Sequence, residues 1–491
     1  MLRSWNLNLV LTRTSGVAVY LQIAQQIIHE IKRARLLPST IMPSTRTLAE
    51  DLKVNRKTIR LAYDELIAQG WLTTEGRRGT FVSAKLPNFV PHKQASMQVE
   101  DVHTPQFRSY ARHLAPENQA ALDQVIDFKD GIPDTRLIPL EMLSRAFRHA
   151  LVDSSRANML GYDDPRGMLP LRQAITTMLN MERGLSIGVD NTCIVRGSQM
   201  GIFLAARILT RPGAYIVIER LSYPPAREAF RSCGARILNI GLDEHGLDVD
   251  ELEHLCQQHR VRAIYVTPHH QFPTTVMMTA ERRVKLLMLA EQYDFVIVED
   301  DYDHEFHFQH HPPLPLASDE ATGRVVYVGS LSKVLAPGLR VGYLVASREF
   351  IDQCASEIML IDRQGNSVTE LAVAELMELG EIKRHIRRTL KTYSERRNIL
   401  VDLVRQELGE FVSFEPPVGG LALWIRLNEG IDINAFVQTA LSKRVRLLPG
   451  SLFSEDNTEI RGLRLGFGSL DASELTKGIS RMKQAANALK S

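Results

Sequence analysis

Along the run VYLQIAQQIIHEIKRARL, apolar side chains return every three or four residues, at Tyr20, Ala24, Ile27, Ile28 and Ile31. That spacing predicts an amphipathic helix. Pro43-Ser44 is a start signal, and Ser44 is the N-cap of a short helix over 45–52. Asn55 then opens a third helix, NRKTIRLAYDELIAQG, with Ile59, Ala62, Tyr63, Leu66 and Ile67 as its apolar stripe and Gly70 as its stop. WLTTEGRRGTFV reads as two short strands joined by a basic, glycine-containing turn. Three helices followed by a ribbon predict a winged helix-turn-helix over residues 1–85. Residues 86–123 hold no sustained period and are rich in Pro, Gln, Ser and His, which predicts a linker. From 124 to 491 the pattern changes again. Short β-rich runs (TCIV, AYIVIE, RAIYV, DFVIVED, VVYVGS) alternate with helical periods, and this predicts an α/β body with a mostly parallel sheet.

Composition sharpens the division. The net charge is only +2, yet residues 1–85 hold 13 Lys and Arg against 6 Asp and Glu, so the rest of the chain is net acidic. A basic front end on an acidic body is expected where one end meets phosphates. The four cysteines are scattered without paired spacing, so neither a disulfide framework nor a metal site is expected, and a reducing cytoplasm is. No apolar run reaches membrane-spanning length, and the N-terminus makes a poor signal peptide.

In the head, the first turn of the third helix carries Arg56 and Lys57 where base edges and phosphates are reached. Arg46 opens the preceding helix and can grip phosphate, while Arg77 and Arg78 decorate the wing tip. In the body, VVYVGSLSKVLAPGLRVGYLV fixes one lysine, Lys333, just after a strand, with hydroxyls at Ser330 and Ser332. An amine beside a phosphate cup is what pyridoxal 5'-phosphate requires. Gly197, Ser198 and Gln199 follow the strand TCIV and open an apolar helix, a suitable phosphate site that Ser330, Ser332 and Arg340 can complete. Asp300 ends FVIVED and can keep a pyridine nitrogen protonated. Tyr302 can reach the phenolic oxygen, Tyr223 can cover the ring face, and Arg464 in RGLRLGFG can hold an amino-acid carboxylate. His269 and His270 in TPHHQFPTT lack a matching carboxylate spacing, so no metal is expected there.

The stretch MPSTRTLAEDLKVNRKTIRLAYDELIAQGWLTTEGRRGTFV resembles the DNA-binding domain of the GntR family of bacterial regulators. The resemblance implies DNA contacts by Arg46, Arg56, Thr58, Gly79 and Thr80. Residues 124–491 resemble a fold-type I aminotransferase through GYDDPRGMLPLR, RGSQMG, TPHHQFP, EDDYDHEF, GSLSKVLAPGLRVGY and LRLGF. Together the two parts are similar to the MocR subgroup of GntR regulators. The subgroup implies covalent attachment of the cofactor at Lys333, effector binding at Arg464, and a head-to-tail homodimer in which Tyr162 reaches the partner subunit's phosphate. It implies a regulator of double-stranded operator DNA responding to an amino compound or to pyridoxal phosphate itself. The alternative is a working aminotransferase with an accessory DNA-binding segment. Two departures stand out. Pro225 occupies the place where GABA-responsive members carry an arginine, and GGLALWI replaces the subgroup's frequent Gly-Leu-His.

Overall fold

The computed structural model describes residues 9–12, 16–86, 125–308, 312–319, 323–455 and 459–490. Nearly all of the expected linker lies outside the described residues, and of Arg77 only the backbone is described. The chain divides into two compact units, residues 1–109 and 110–491.

In the first unit, α1 (Val19–Lys32), α2 (Thr45–Asp51) and α3 (Arg56–Ala68) precede an antiparallel ribbon of β1 (Leu72–Glu75) and β2 (Gly79–Val82). Both expected caps form. Ser44 accepts from the Thr47 amide at 3.1 Å, and Asn55 accepts from the Lys57 amide at 2.8 Å. Each satisfies a donor that the helix start would otherwise leave open, a contribution of about 1 kcal/mol. Ile23, Ala24, Ile27 and Ile31 of α1 meet Ile59, Ala62, Tyr63 and Leu66 of α3 in one core. Ile67, expected in that stripe, is instead 37% exposed. It sits one position past Leu66, where the helical turn carries it off the buried face. The Tyr63 hydroxyl donates to the Pro43 carbonyl at 2.9 Å and ties α3 to the entry of α2.

The second unit is built on a seven-stranded sheet. Its spatial order is Thr192–Val195, Gly342–Val345, Val325–Ser330, Val296–Asp301, Val261–Val266, Tyr215–Glu219 and Arg236–Ile240. Gly342–Val345 pairs antiparallel with both of its neighbours, and the remaining pairs are parallel. These strands read as continuous apolar runs because helices cover the sheet, and its residues divide among three buried clusters. Parallel strands end together along one edge, where the chain leaves the sheet and ligands collect. The antiparallel strand begins where its neighbours end, so the residues just before it, Arg340 included, arrive at the same edge. A four-stranded antiparallel sheet comes next, ordered Val412–Ser413, Ala422–Leu427, Gly462–Gly466, Leu448–Pro449. Helices Glu381–Leu408, Ile433–Ser442 and Ala472–Lys490 contribute to its core. No helix among the described residues is long and apolar enough to cross a membrane.

Candidate functional site

Lys333 lies in the turn after strand Val325–Ser330, and its Nζ stands 4.2 Å from the centre of the Tyr302 ring. Burial pushes this amine below its ordinary range, although Asp303, Asp130 and Asp300 pull the other way. A lysine with a depressed pKa has more of its unprotonated, nucleophilic form. Asp300 leaves the neighbouring strand fully enclosed. Its Oδ2 accepts from the Tyr265 hydroxyl at 2.7 Å, while its Oδ1 is buried without a hydrogen-bond partner. Burial pushes the Asp300 carboxyl up to about 7, against the pull of Tyr265 and Lys333. A buried carboxylate oxygen left bare is costly unless a donor arrives to meet it.

The aromatic wall comes from several elements. Phe272 packs edge-on against Tyr223 at 5.3 Å, Tyr302 at 6.1 Å and Phe453 at 5.3 Å. The Tyr302 hydroxyl donates to the His270 carbonyl at 3.0 Å, which fixes its ring beneath Lys333. Arg464, on the middle strand Gly462–Gly466, is almost wholly buried and lies over the Phe272 ring at 4.6 Å. Its Nε pairs with Asp130 at 2.6 Å and its Nη1 donates to the Pro273 carbonyl at 2.7 Å. An arriving carboxylate would therefore compete with Asp130 for this guanidinium.

A cup forms beside the lysine. Helix Ser198–Leu209 starts without a side-chain cap, so its first amides are open. Gly197 precedes it at φ +73°, and a Cβ there would fall 2.5 Å from Nη2 of Arg340. Only glycine fits both the conformation and the approach. Arg340 is itself anchored by donating to the Arg196 carbonyl at 3.0 Å. Ser330 and Ser332 are both buried, and the Ser330 hydroxyl accepts from the Ser332 amide at 3.2 Å. Gln199 donates to the Pro225 carbonyl at 3.2 Å, and its Oε1 is buried without a partner. Tyr162 stays outside this constellation within the chain. It is 81% exposed, with the Arg363 guanidinium over its ring at 5.0 Å. An uncapped helix start, a glycine that admits no side chain, an acid with one bare buried oxygen and a lysine whose pKa burial lowers together fit a phosphorylated aromatic aldehyde.

Sequence reasoning missed Asp130 and Tyr265, the direct partners of Arg464 and Asp300. Tyr265 falls inside an apolar strand, where its hydroxyl gives no pattern. Asp130 comes after a two-residue strand far from Arg464 in the chain. The acidic partner of His270, Asp303, was visible only as one of several acids in EDDYDHEF. Its Oδ1 lies 2.8 Å from His270 Nδ1.

On the head, Arg56 and Lys57 are exposed on the first turn of α3 and Thr58 is half-buried. The Arg56 Nε donates to the Thr45 hydroxyl at 3.2 Å, which links the starts of α2 and α3. Arg46 pairs with Glu50 at 3.0 Å and Arg78 with Glu75 at 2.8 Å, both as exposed pairs worth little in water. Either arginine can exchange its carboxylate for a phosphate at small cost. The wing turn Gly76–Arg78 leads into Gly79, which adopts φ +117°, and Thr80 pairs with Thr74 across the ribbon.

The sequence families agree with this division. Residues 19–82 match "Bacterial regulatory proteins, gntR family", and residues 124–482 match "Aminotransferase class I and II". Fold and site thus define a winged-helix head on an aminotransferase-like body. The chain belongs to the GntR-type bacterial regulators that carry such a body, the MocR type. It is 28% identical over 486 residues to the probable rhizopine catabolism regulatory protein MocR of Rhizobium meliloti, covering 98% of this chain and 97% of that one. It is 30% identical over 482 residues to the HTH-type transcriptional regulator TauR of Rhodobacter capsulatus, covering 94% and 96%. Among solved structures, α-aminoadipate aminotransferase LysN of Thermus thermophilus, complexed with N-(5'-phosphopyridoxyl)-L-leucine, is 28% identical with a TM-score of 0.69. That likeness covers 74% of this chain and 93% of LysN.

Proposed function

We propose that this regulator binds operator DNA through its head and holds pyridoxal 5'-phosphate in its body, where an amino compound or the cofactor itself acts as effector. The observation that carries the cofactor reading is the bare, buried Oδ1 of Asp300 in the same site as Lys333. In this reading Lys333 holds the cofactor and Asp300 faces its ring nitrogen. Tyr302 meets its ring oxygen and Tyr223 covers its face. Ser198, Gln199, Ser330, Ser332 and Arg340 take its phosphate. Bound pyridoxal phosphate supplies an aldehyde that condenses with amines and a ring whose absorption reports that bond.

The chain's own groups tune that chemistry. Asp300 keeps a positive charge at the ring nitrogen favourable. Burial lowers the pKa of Lys333 and so favours the unprotonated amine that can act on the cofactor. Arg464 orients the carboxylate of an amino-acid-like effector after Asp130 yields. Pro225, half-buried after Tyr223, offers no charge for a second carboxylate contact. A residual transaminase half-reaction is the second reading, because a lysine beside the ring also suits proton transfer. Arg46, Arg56, Lys57, Thr58, Arg77, Arg78, Gly79 and Thr80 form the DNA face. Exposed Leu160 and Tyr162 next to Met159 give a surface suited to a homodimer, with Tyr162 reaching the partner's cup in a head-to-tail arrangement. A cytoplasmic location suits a DNA-binding regulator with four unpaired cysteines.

The test is the visible spectrum of the purified full chain incubated with pyridoxal phosphate. Wild type should gain a visible band that Lys333→Ala lacks at equal cofactor. A wild-type protein that stays colourless after reconstitution contradicts the assignment.

A further inference from the structure

Behind the proposed cofactor site, two segments distant in sequence bring four imidazoles together. His269 and His270 leave strand Val261–Val266, while His304 and His307 come after strand Val296–Asp301. The rings of His269 and His270 lie 4.4 Å apart, and those of His269 and His304 4.9 Å apart. His307 completes the group, 5.8 Å from His269 and 6.0 Å from His270. The cofactor reading uses none of these rings; it uses only the His270 carbonyl, as an acceptor for Tyr302.

Two ring nitrogens in this group, Nε2 of His269 and Nε2 of His270, are buried without a hydrogen-bond partner, on residues 3% and 1% exposed. Asp303 occupies the opposite nitrogen of His270, its Oδ1 2.8 Å from Nδ1. A carboxylate behind one imidazole nitrogen fixes the proton there and turns the other nitrogen's lone pair outward, the arrangement found behind metal-bound histidines. Gly419 contributes space, since a Cβ there would fall 2.4 Å from His270 Nε2. One ligand atom from each of His269, His270 and His307 lies within 4.8 Å of the other two. Ligands on one tetrahedral ion with bonds of about 2.1 Å stand roughly 3.4 Å apart, so small side-chain rotations close the set.

We propose that His269, His270 and His307 bind a first-row divalent transition cation of the zinc class, with Asp303 as the carboxylate supporting His270. Imidazoles select this class over magnesium or calcium, which take oxygen donors. A second grouping, His269 with Asp301 and His304, meets the same distance limit. There Asp301 already accepts from Tyr327 at 2.6 Å and faces His304 at 2.9 Å and Arg183 at 3.6 Å, so its charge is already balanced. This proposal departs from the sequence expectation of no metal, because the third ligand comes from another strand's exit and no local spacing reveals it.

The full chain, stripped with a chelator, is titrated with Zn²⁺ by calorimetry, and bound zinc is counted by elemental analysis. Cobalt(II) serves as a second probe through its visible ligand-field bands. Wild type is expected to take up one equivalent per chain. His307→Gln should weaken binding at least about tenfold, and Asp303→Asn by roughly 10- to 100-fold. His304→Gln and Lys333→Ala should retain the full equivalent, which separates this site from the alternative grouping and from the cofactor. A double variant at His310 and His311 should retain it too. His307→Gln concerns a half-buried ring, and an unchanged melting temperature without zinc verifies its fold. The proposal is overturned if wild type takes up no stoichiometric zinc. It is equally overturned if His307→Gln binds as wild type does, or if His304→Gln or the double variant abolishes uptake.

Discussion

At the scale of single residues, Asp300 holds two oxygens in different states, one satisfied by Tyr265 and one bare. Most buried side-chain oxygens are paired, so the bare one is a place for an arriving donor. Asp300→Asn should lower the affinity for pyridoxal phosphate by roughly 10- to 100-fold, the worth of a charge-assisted hydrogen bond. Titration of the visible band measures this. The melting temperature of the cofactor-free protein should hold or rise, because a bare buried acid is removed. A fall in that temperature with cofactor affinity intact would make Asp300 structural instead. Lys333, Asp300, Tyr223 and Arg464 were legible in sequence because each ends or comes after an apolar run and so falls at a strand exit or on the middle of a sheet. Tyr265 and Asp130 were not, since pairings across the fold leave no local period. Ile67 shows the limit of periodicity, which identifies a helical face but not where that face stops.

At the scale of elements, the starts of α2 and α3 carry the proposed DNA face. Arg56 is held by Thr45 yet exposed, and it stands at the end of the recognition helix that would meet bases. Arg56→Ala should weaken binding to DNA upstream of its own gene by roughly tenfold or more, measured by fluorescence anisotropy, with no change in melting temperature. Unaltered binding would remove α3 from the interface. Within the body, Glu370 of helix Ser367–Glu378 accepts from the Met168 amide at 2.7 Å and joins that helix to Leu169–Arg183. Burial pushes its carboxyl up to about 7, against the pull of that amide and of Arg172. Its folded pKa therefore lies above its unfolded value near 4.5. The stability tied to its proton is complete below that value and is lost as pH rises toward about 7, a change of roughly 3 kcal/mol. Glu370→Gln should thus raise the melting temperature more at pH about 7.5 than at pH about 5. An equal effect at both values would contradict the shift. The element types and their order were readable from period and caps. The antiparallel strand Gly342–Val345 was not, because a buried apolar run carries no sign of its direction.

At the scale of the whole molecule, one chain joins a basic head to an acidic body, and the proposed function requires that what the body holds sets how the head binds. Binding to DNA should fall steeply with salt, since lysine and arginine contacts release counterions. Coupling between two sites is reciprocal and spans about 5- to 150-fold in typical cases. The most direct measurement compares the affinity of the full chain for its upstream DNA in cofactor-loaded and cofactor-stripped forms at one salt concentration, with Lys333→Ala alongside. The two wild-type forms should differ by about fivefold or more, and Lys333→Ala should give a single affinity whether or not cofactor is added. Equal affinities for the loaded and stripped wild type would contradict the link between body and head.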